Sequence, residues 1–469
     1  MARFASGFAG RPSAFFLGSF ALLIVLGAFL LSLPIASTKG GLSPAQALFM
    51  AASAVCVTGL SVVDIGTELT PFGQWVILGL IQLGALGLMT FYAFFFTMLG
   101  QSIPFVHRTI LRETVGGLSR GEQRPARVLR AIVGFSLAFE AAGTLALYGL
   151  FRRTEAPAEA LKKAVFHAVS AFCNAGFSLQ KDSFAQWRAD PAMHLVLIAL
   201  IVAGGLGFIA HMDLLDHLKK QIAWRWARGR NRPEEEAQPP RPALSLHTKV
   251  VLSASAALIV FGALVFWGEF LRAGGPAGQS ALEALFLSVT ARTAGFNTVP
   301  TEGLGDAVLF FAMILMFIGA SPGSTGGGLK TTTGFVLLAA LWSRFQGYDS
   351  PSAFRRTIPQ DIVRRAGAIL IMGAGVLGIA LFAVLVLEEG NPALAGSPRR
   401  FLTLLFETVS AFGTVGLSMG VTASLSPVSL VLLSLLMYIG RIGPLTVFIA
   451  LSEQPRSRPR PADELVMVG

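Results

Sequence analysis

Four stretches of the chain, Phe49 to Ser61, Phe166 to Ser178, Leu285 to Asn297 and Phe406 to Ser418, align with one another without a gap. Each carries a glycine in the same place (Gly59, Gly176, Gly295, Gly416), followed by Leu or Phe and then by Ser or Asn. The intervals between these glycines are 117, 119 and 121 residues, so the pattern is a repeat. Coordination, not catalysis, is the chemistry open to such a set. A cation stripped of its water needs oxygen ligands, and backbone carbonyls on either side of each glycine can supply them as rings. Glycine permits the positive φ that lets successive carbonyls point the same way. The candidate lining is Val57-Thr58-Gly59-Leu60, Asn174-Ala175-Gly176-Phe177, Thr293-Ala294-Gly295-Phe296 and Thr414-Val415-Gly416-Leu417. One such glycine alone would read as a helix cap or a packing contact; four at matched positions do not.

Irregular backbone of this kind needs elements that bury it, and the composition says where. Of 469 residues, 53% are hydrophobic and 13% charged, about half the roughly 25% charge of a soluble domain, which excludes a water-soluble protein. Apolar blocks give eight candidate spans at about 14–34, 72–100, 130–150, 192–212, 249–270, 305–343, 366–387 and 426–451. The first, with Arg3 and Arg11 ahead of it, is too long for a signal sequence and reads as a retained helix. Each aligned stretch lies between two spans and is too short to cross, so it enters and returns. The expected fold is an all-α membrane protein of four tandem repeats, each a helix, pore half-helix, filter loop and helix, around a pseudo-fourfold central pore. The repeats fall at 1–100, 101–216, 217–343 and 344–469. The 51 glycines suit close helix packing in such a protein. Cys56 and Cys173 both lie in apolar stretches and give no disulfide framework.

Charge sets the orientation. Only ten of the 37 Lys and Arg fall in the segments that would be external, which places both termini and the basic loops in the cytoplasm. The net charge of +11 is dispersed over short loops, and this argues against nucleic acid as a partner. The stretch 217–241, with Lys219, Lys220 and Arg225 ahead of Glu234 to Glu236, reads as a solvated connector or a contact surface.

The sixth span is interrupted by Gly319 to Lys330, whose Gly319, Ser321, Gly323, Ser324, Gly326, Gly327, Gly328 and Lys330 cannot remain a plain helix. A phosphate-binding loop would need glycine directly before the lysine, where Leu329 stands. A small-residue segment at this place can instead lie beneath the filter and move aside. Arg292 and Arg441 are costly inside a membrane and so mark function by default. Arg292 shares with Cys56, Cys173 and Gly413 the place three residues before the glycine, which reads as a brace behind the filter. Glu407 is a candidate partner for either arginine, and His167 reads as a packed histidine without a second metal ligand.

Ser53 to Ser61, Thr290 to Asn297, Gly319 to Thr333 and Tyr438 to Pro444 resemble the Trk/Ktr/HKT superfamily of potassium uptake proteins, and within it the Ktr-type ion-translocating subunit. The resemblance implies that K+ is the transported ion, with Na+ as a further ion, and that Gly319 to Lys330 together with Arg441 form an intramembrane gate. It also implies a homodimer in a bacterial cytoplasmic membrane, over an octameric-type cytosolic ring of Rossmann-like (RCK) subunits binding ATP or ADP. Four filter glycines are the family's pattern for potassium over sodium. The chain is expected not to be an enzyme. Two rivals stand beside this reading: the potassium-binding subunit of an ATP-driven pump, and an alternating-access solute carrier. The second calls for a broken helix in each of two halves, whereas one interrupted span is expected here.

Overall fold

The computed structural model describes residues 12–102, 125–229 and 243–443. The connector around 103–124, the acidic and proline-rich part of 217–241 and the tail Gln454 to Gly469 lie outside the described residues, as does Pro444. Fourteen α-helices are described: α1 (Pro12–Ser32), α2 (Pro44–Val55), α3 (Pro71–Ser102), α4 (Pro125–Phe151), α5 (Pro157–Phe172), α6 (Pro191–Leu206), α7 (Phe208–Gly229), α8 (Leu246–Arg272), α9 (Ala277–Thr290), α10 (Asp306–Phe317), α11 (Thr331–Phe345), α12 (Gln360–Leu387), α13 (Arg400–Gly413) and α14 (Pro427–Ile442). A two-strand hairpin, Ser352–Ala353 with Arg356–Thr357, is the only sheet among the described residues.

Half of these helices begin on proline, whose fixed φ suits the first helical turn and whose missing N–H has no intrahelical partner to lose there. Side chains complete several starts. Ser43 and Gln46 form a reciprocal capping box on α2, and Asp190, Ser245 and Ser426 cap α6, α8 and α14.

Among the described residues, Leu129–Phe151, α8 and α12 are each long and apolar enough to cross a bilayer alone. Helices α6 and α7 reach that length and apolarity only when taken together, and they are bent by 97° at the break between them. This corrects the sequence expectation that only the sixth span is interrupted. The fourth breaks at Gly207, which sits at φ +88°. The run Gly204-Gly205-Leu206-Gly207 carried that signal.

The aligned stretches fold as α2, α5, α9 and α13, of 12, 16, 14 and 14 residues. A 12-residue helix spans about 18 Å, short of a hydrocarbon core of about 30 Å. Their inner ends are buried, and the helix that follows lies hard against three of them. Gly84 faces the carbonyl of Val55, Gly204 that of Phe172 and Gly440 that of Phe412, each so closely that a Cβ would collide with the oxygen. Lipid tails are as apolar as leucine, so small residues that permit such approach, and not hydrophobic burial, hold helices together in a bilayer.

Candidate cation pathway

Where each half-helix ends, the chain turns through an unusual backbone. The residue two before the glycine is left-handed in all four stretches: Val57 at φ +56°, Asn174 at +58°, Thr293 at +78° and Thr414 at +49°. The glycines follow at +97°, +70°, +76° and +95°, and the residue between is not left-handed. Alternating handedness of this kind can turn successive carbonyls to one side, as an ion-binding ring would require. For Val57, Thr293 and Thr414 the conformation costs roughly 1–3 kcal/mol each, because a β-branched side chain crowds its own backbone there. Sequence reading expected positive φ at the glycines alone.

The four glycines close on one another. A Cβ on Gly59 would fall 2.5 Å from the Ala175 carbonyl oxygen, and one on Gly176 would fall 2.8 Å from that of Ala294. At Gly295 the obstacle is the carbonyl of Val415, and at Gly416 it is that of Thr58. Each carbonyl just before a glycine thus faces the glycine of the neighbouring stretch, and the fourth stretch returns to the first. Residues 57–59, 174–176, 293–295 and 414–416, separated by more than 350 positions in sequence, are brought into one ring.

Hydroxyls in the last turn of each half-helix hold this backbone. Ser53 Oγ donates to the Leu60 carbonyl at 2.7 Å and accepts from Gly59 N–H at 3.1 Å. Ser170 donates to Phe177 at 2.8 Å, Thr290 to Phe296 at 2.7 Å, and Ser410 accepts from Gly416 N–H at 3.1 Å. These four residues were not singled out from sequence, although the hydroxyl recurs in every aligned stretch. The third stands five residues before its glycine and the others six. Three other hydroxyls, those of Thr58, Thr293 and Thr414, are buried with no hydrogen-bond partner.

Against two of those threonines lies the loop Ile318 to Lys330. A Cβ on Gly326 would strike Thr293 Oγ1, and one on Gly327 would strike Thr414 Oγ1. Gly319, Ser321, Gly323, Ser324, Gly326, Gly327 and Gly328 are all buried, and non-helical backbone at depth requires that burial. The loop is closed at its neck by a parallel bridge between Ile318 and Leu329. Ser324 Oγ donates to the Ser321 carbonyl at 2.6 Å, and Ser321 and Thr331 share a hydroxyl contact at 3.1 Å. Two cations also hold the loop. Lys330 Nζ donates to Gly326 O at 2.7 Å, and Arg441, fully buried, donates to the Thr325 carbonyl and, at 3.4 Å, to that of Gly84. Thr325 Oγ1 donates to the Phe172 carbonyl at 3.2 Å, so the loop also touches the end of a half-helix.

Arg292 lies behind the ring, its guanidinium 3.4 Å from the Ser255 carbonyl and 3.3 Å from Ser255 Oγ, as a brace to α8. Glu407 corrects an expectation. Its carboxylate accepts from Ser418 Oγ at 2.5 Å, Met419 N–H at 2.9 Å and Thr422 Oγ1 at 2.9 Å, so the chain beyond Gly416, not an arginine, satisfies it. His167 occupies the matching place in the second stretch and contacts Ser178 Oγ at 3.0 Å, with Leu179 N–H donating to it at 3.3 Å. Between the second and third stretches, Arg188 forks onto Glu283 with Nη2 to Oε2 at 3.0 Å, and that carboxylate raises the guanidinium above its ordinary pKa. Sequence reading also passed over Glu140, a buried carboxylate that receives Gln82 Nε2 at 3.0 and 3.2 Å.

A family model described as "TrkH: Cation transport protein" matches residues 20–459. The chain belongs to this family. It is 36% identical over 468 residues to the Ktr system potassium uptake protein B of Bacillus subtilis, covering 98% of this chain and 96% of that one. It is 34% identical to the potassium/sodium uptake protein NtpJ of Enterococcus hirae, covering 98% of this chain and 97% of the relative. The crystal structure of the potassium transporter TrkH from Vibrio parahaemolyticus superposes with a TM-score of 0.68 at 17% identity, over 93% of this chain and 83% of that one, and so shares its fold. The TrkH-family chain is a cation transporter and not an enzyme. With α6–α7 broken as well as α10–α11, the count of broken spans no longer separates a pore from an alternating-access carrier of organic solutes. Membership in a family of cation transporters argues against an organic solute as the cargo.

Proposed function

We propose that this chain translocates potassium into the cell through a central pore whose filter is the ring around Gly59, Gly176, Gly295 and Gly416. Closure of that ring, with each preceding carbonyl turned to the next glycine, is the observation that carries the reading. The filter residues are Val57, Thr58, Asn174, Ala175, Thr293, Ala294, Thr414 and Val415 with the four glycines. Eight spans in four repeats, bounded at 1–100, 101–216, 217–343 and 344–469, surround it. The loop from Gly319 to Lys330, pressed on Thr293 and Thr414 and held by Arg441, is the gate. Full-length similarity to proteins named for potassium uptake supports the choice of ion, and the potassium/sodium relative brings Na+ in as a second ion. The same likeness favours an uptake protein over a pump subunit.

Both termini and the basic connectors face the cytoplasm of a bacterium. A homodimer of this chain sits on a cytosolic ring of RCK subunits whose adenine nucleotide biases the gate, and a ligand can do so only by favouring one gate state over the other. Rubidium uptake against sodium uptake into proteoliposomes holding this chain alone tests the pore. Rubidium entry blocked by potassium is expected, and equal entry of sodium would contradict the filter. Adding the ring with ATP or ADP tests regulation separately, because identical flux in every case removes the ring and leaves the pore.

A further inference from the structure

Helix α7 leaves α6 at 97°, so it runs across the span direction instead of along it. Its first turns face inward: Phe208 and Ala210 are buried, and Asp213 accepts from Ser245 N–H at 3.0 Å and Oγ at 2.8 Å at the start of α8. Beyond Asp213 the surface changes. Leu215, Leu218, Ile222 and Trp226 are 42, 54, 54 and 74% exposed, at intervals of three, four and four residues that place them on one helix face. On a helical projection Lys219 and Arg225 border that face on either side, and Lys220 lies beyond Lys219. An apolar stripe with basic borders matches a membrane interface, where the stripe enters the acyl boundary and the long basic stems reach the headgroups. Three positive side chains beside it complement an anionic lipid surface.

We propose that α7 is an interfacial helix of the cytoplasmic leaflet, with its Leu215 to Trp226 stripe in the acyl boundary and Lys219, Lys220 and Arg225 on anionic phospholipid headgroups. This rests on the orientation given above. It also ties the bilayer to the gate. Phe208 N–H donates to the Gly323 carbonyl at 3.0 Å, Ser321 N–H to Gly205 at 3.2 Å and Thr325 N–H to Gly204 at 3.3 Å. A Cβ on Gly207 would lie 2.5 Å from the Pro322 carbonyl oxygen, so the start of α7 and the loop move together or not at all.

The test uses the full chain in proteoliposomes, with Trp226→Cys carrying an environment-sensitive fluorophore. Cys56 and Cys173 are buried, so the label reports on the new position. Brominated acyl chains should quench it, more strongly in vesicles containing phosphatidylglycerol than in phosphatidylcholine alone. That increment should vanish in a Lys219→Gln, Lys220→Gln, Arg225→Gln variant. A label quenched by aqueous iodide and not by brominated lipid overturns the proposal, as does one shielded from both, which would place a protein partner on the stripe. Fluorescence does not depend on the gate. Flux that stays unchanged when the loop is shortened would defeat the gate reading while the label remained quenched.

Discussion

The ring of four glycines and the loop beneath it are both irregular backbone buried at depth, yet they are held differently. In the ring, every stretch is fixed by a hydroxyl of its own half-helix and by the stretch beside it, and left-handed Val57, Thr293 and Thr414 persist under that constraint. Among the described residues such a loop occurs once, between α10 and α11. Its ends are joined by the Ile318 and Leu329 bridge, and between them it is secured by hydroxyls, two cations and contacts through glycines that have no side chains to interlock. On the proposed reading, strain held by its surroundings on all sides suits a rigid selector, whereas small residues on a few polar contacts suit a segment that can be displaced. Fourfold agreement suits the first task and asymmetry the second.

The largest effect should come from breaking the ring. Gly59→Ser combines a left-handed strain with a collision at Ala175 O, and potassium over sodium discrimination should fall roughly five- to hundredfold, given about 1–3 kcal/mol of misplacement. Bi-ionic flux measures it; Gly176, Gly295 and Gly416 should respond in the same direction. Next, removing residues from 321–328 should raise flux severalfold without changing selectivity, and a lost selectivity with unaltered flux would reverse the assignments of ring and loop. Arg441→Ala should act in the same sense by freeing Thr325 O, with wild-type flux marking Arg441 as packing only. Ser53→Ala leaves the Leu60 carbonyl and Gly59 N–H without a partner in the protein, at a cost of about 1–3 kcal/mol, read as a lower thermal midpoint together with weaker discrimination. Smallest of all, Glu407→Gln keeps an acceptor for Ser418 and Met419 and should lower stability by about 0.5–1.5 kcal/mol with selectivity kept.

The half-helices, the four glycines and the broken α10–α11 were legible because each leaves a local mark: a repeated apolar run, a glycine at fixed spacing, a cluster of small residues. What escaped was relational. Left-handed Val57 and Thr293 cannot be read from residues that disfavour that conformation, since part of what enforces it is the neighbouring stretch, more than 100 positions away in sequence. The break at Gly207 was masked by an apolar run that continues on both sides of it. Glu407 was a candidate partner for either arginine because a buried charge suggests an opposite charge, whereas a hydroxyl pair and a backbone N–H eleven to fifteen residues onward satisfy it. The hydroxyl clamps were present in every alignment and were passed over because a serine in a half-helix also has an ordinary place there.

Rubidium soaked into crystals of the protein and located by its anomalous scattering tests the central claim most directly. The account predicts density on the axis of the ring, within coordination distance of the carbonyls of Thr58, Ala175, Ala294 and Val415. An ordered ring with no rubidium, and rubidium bound elsewhere along the chain, would contradict it.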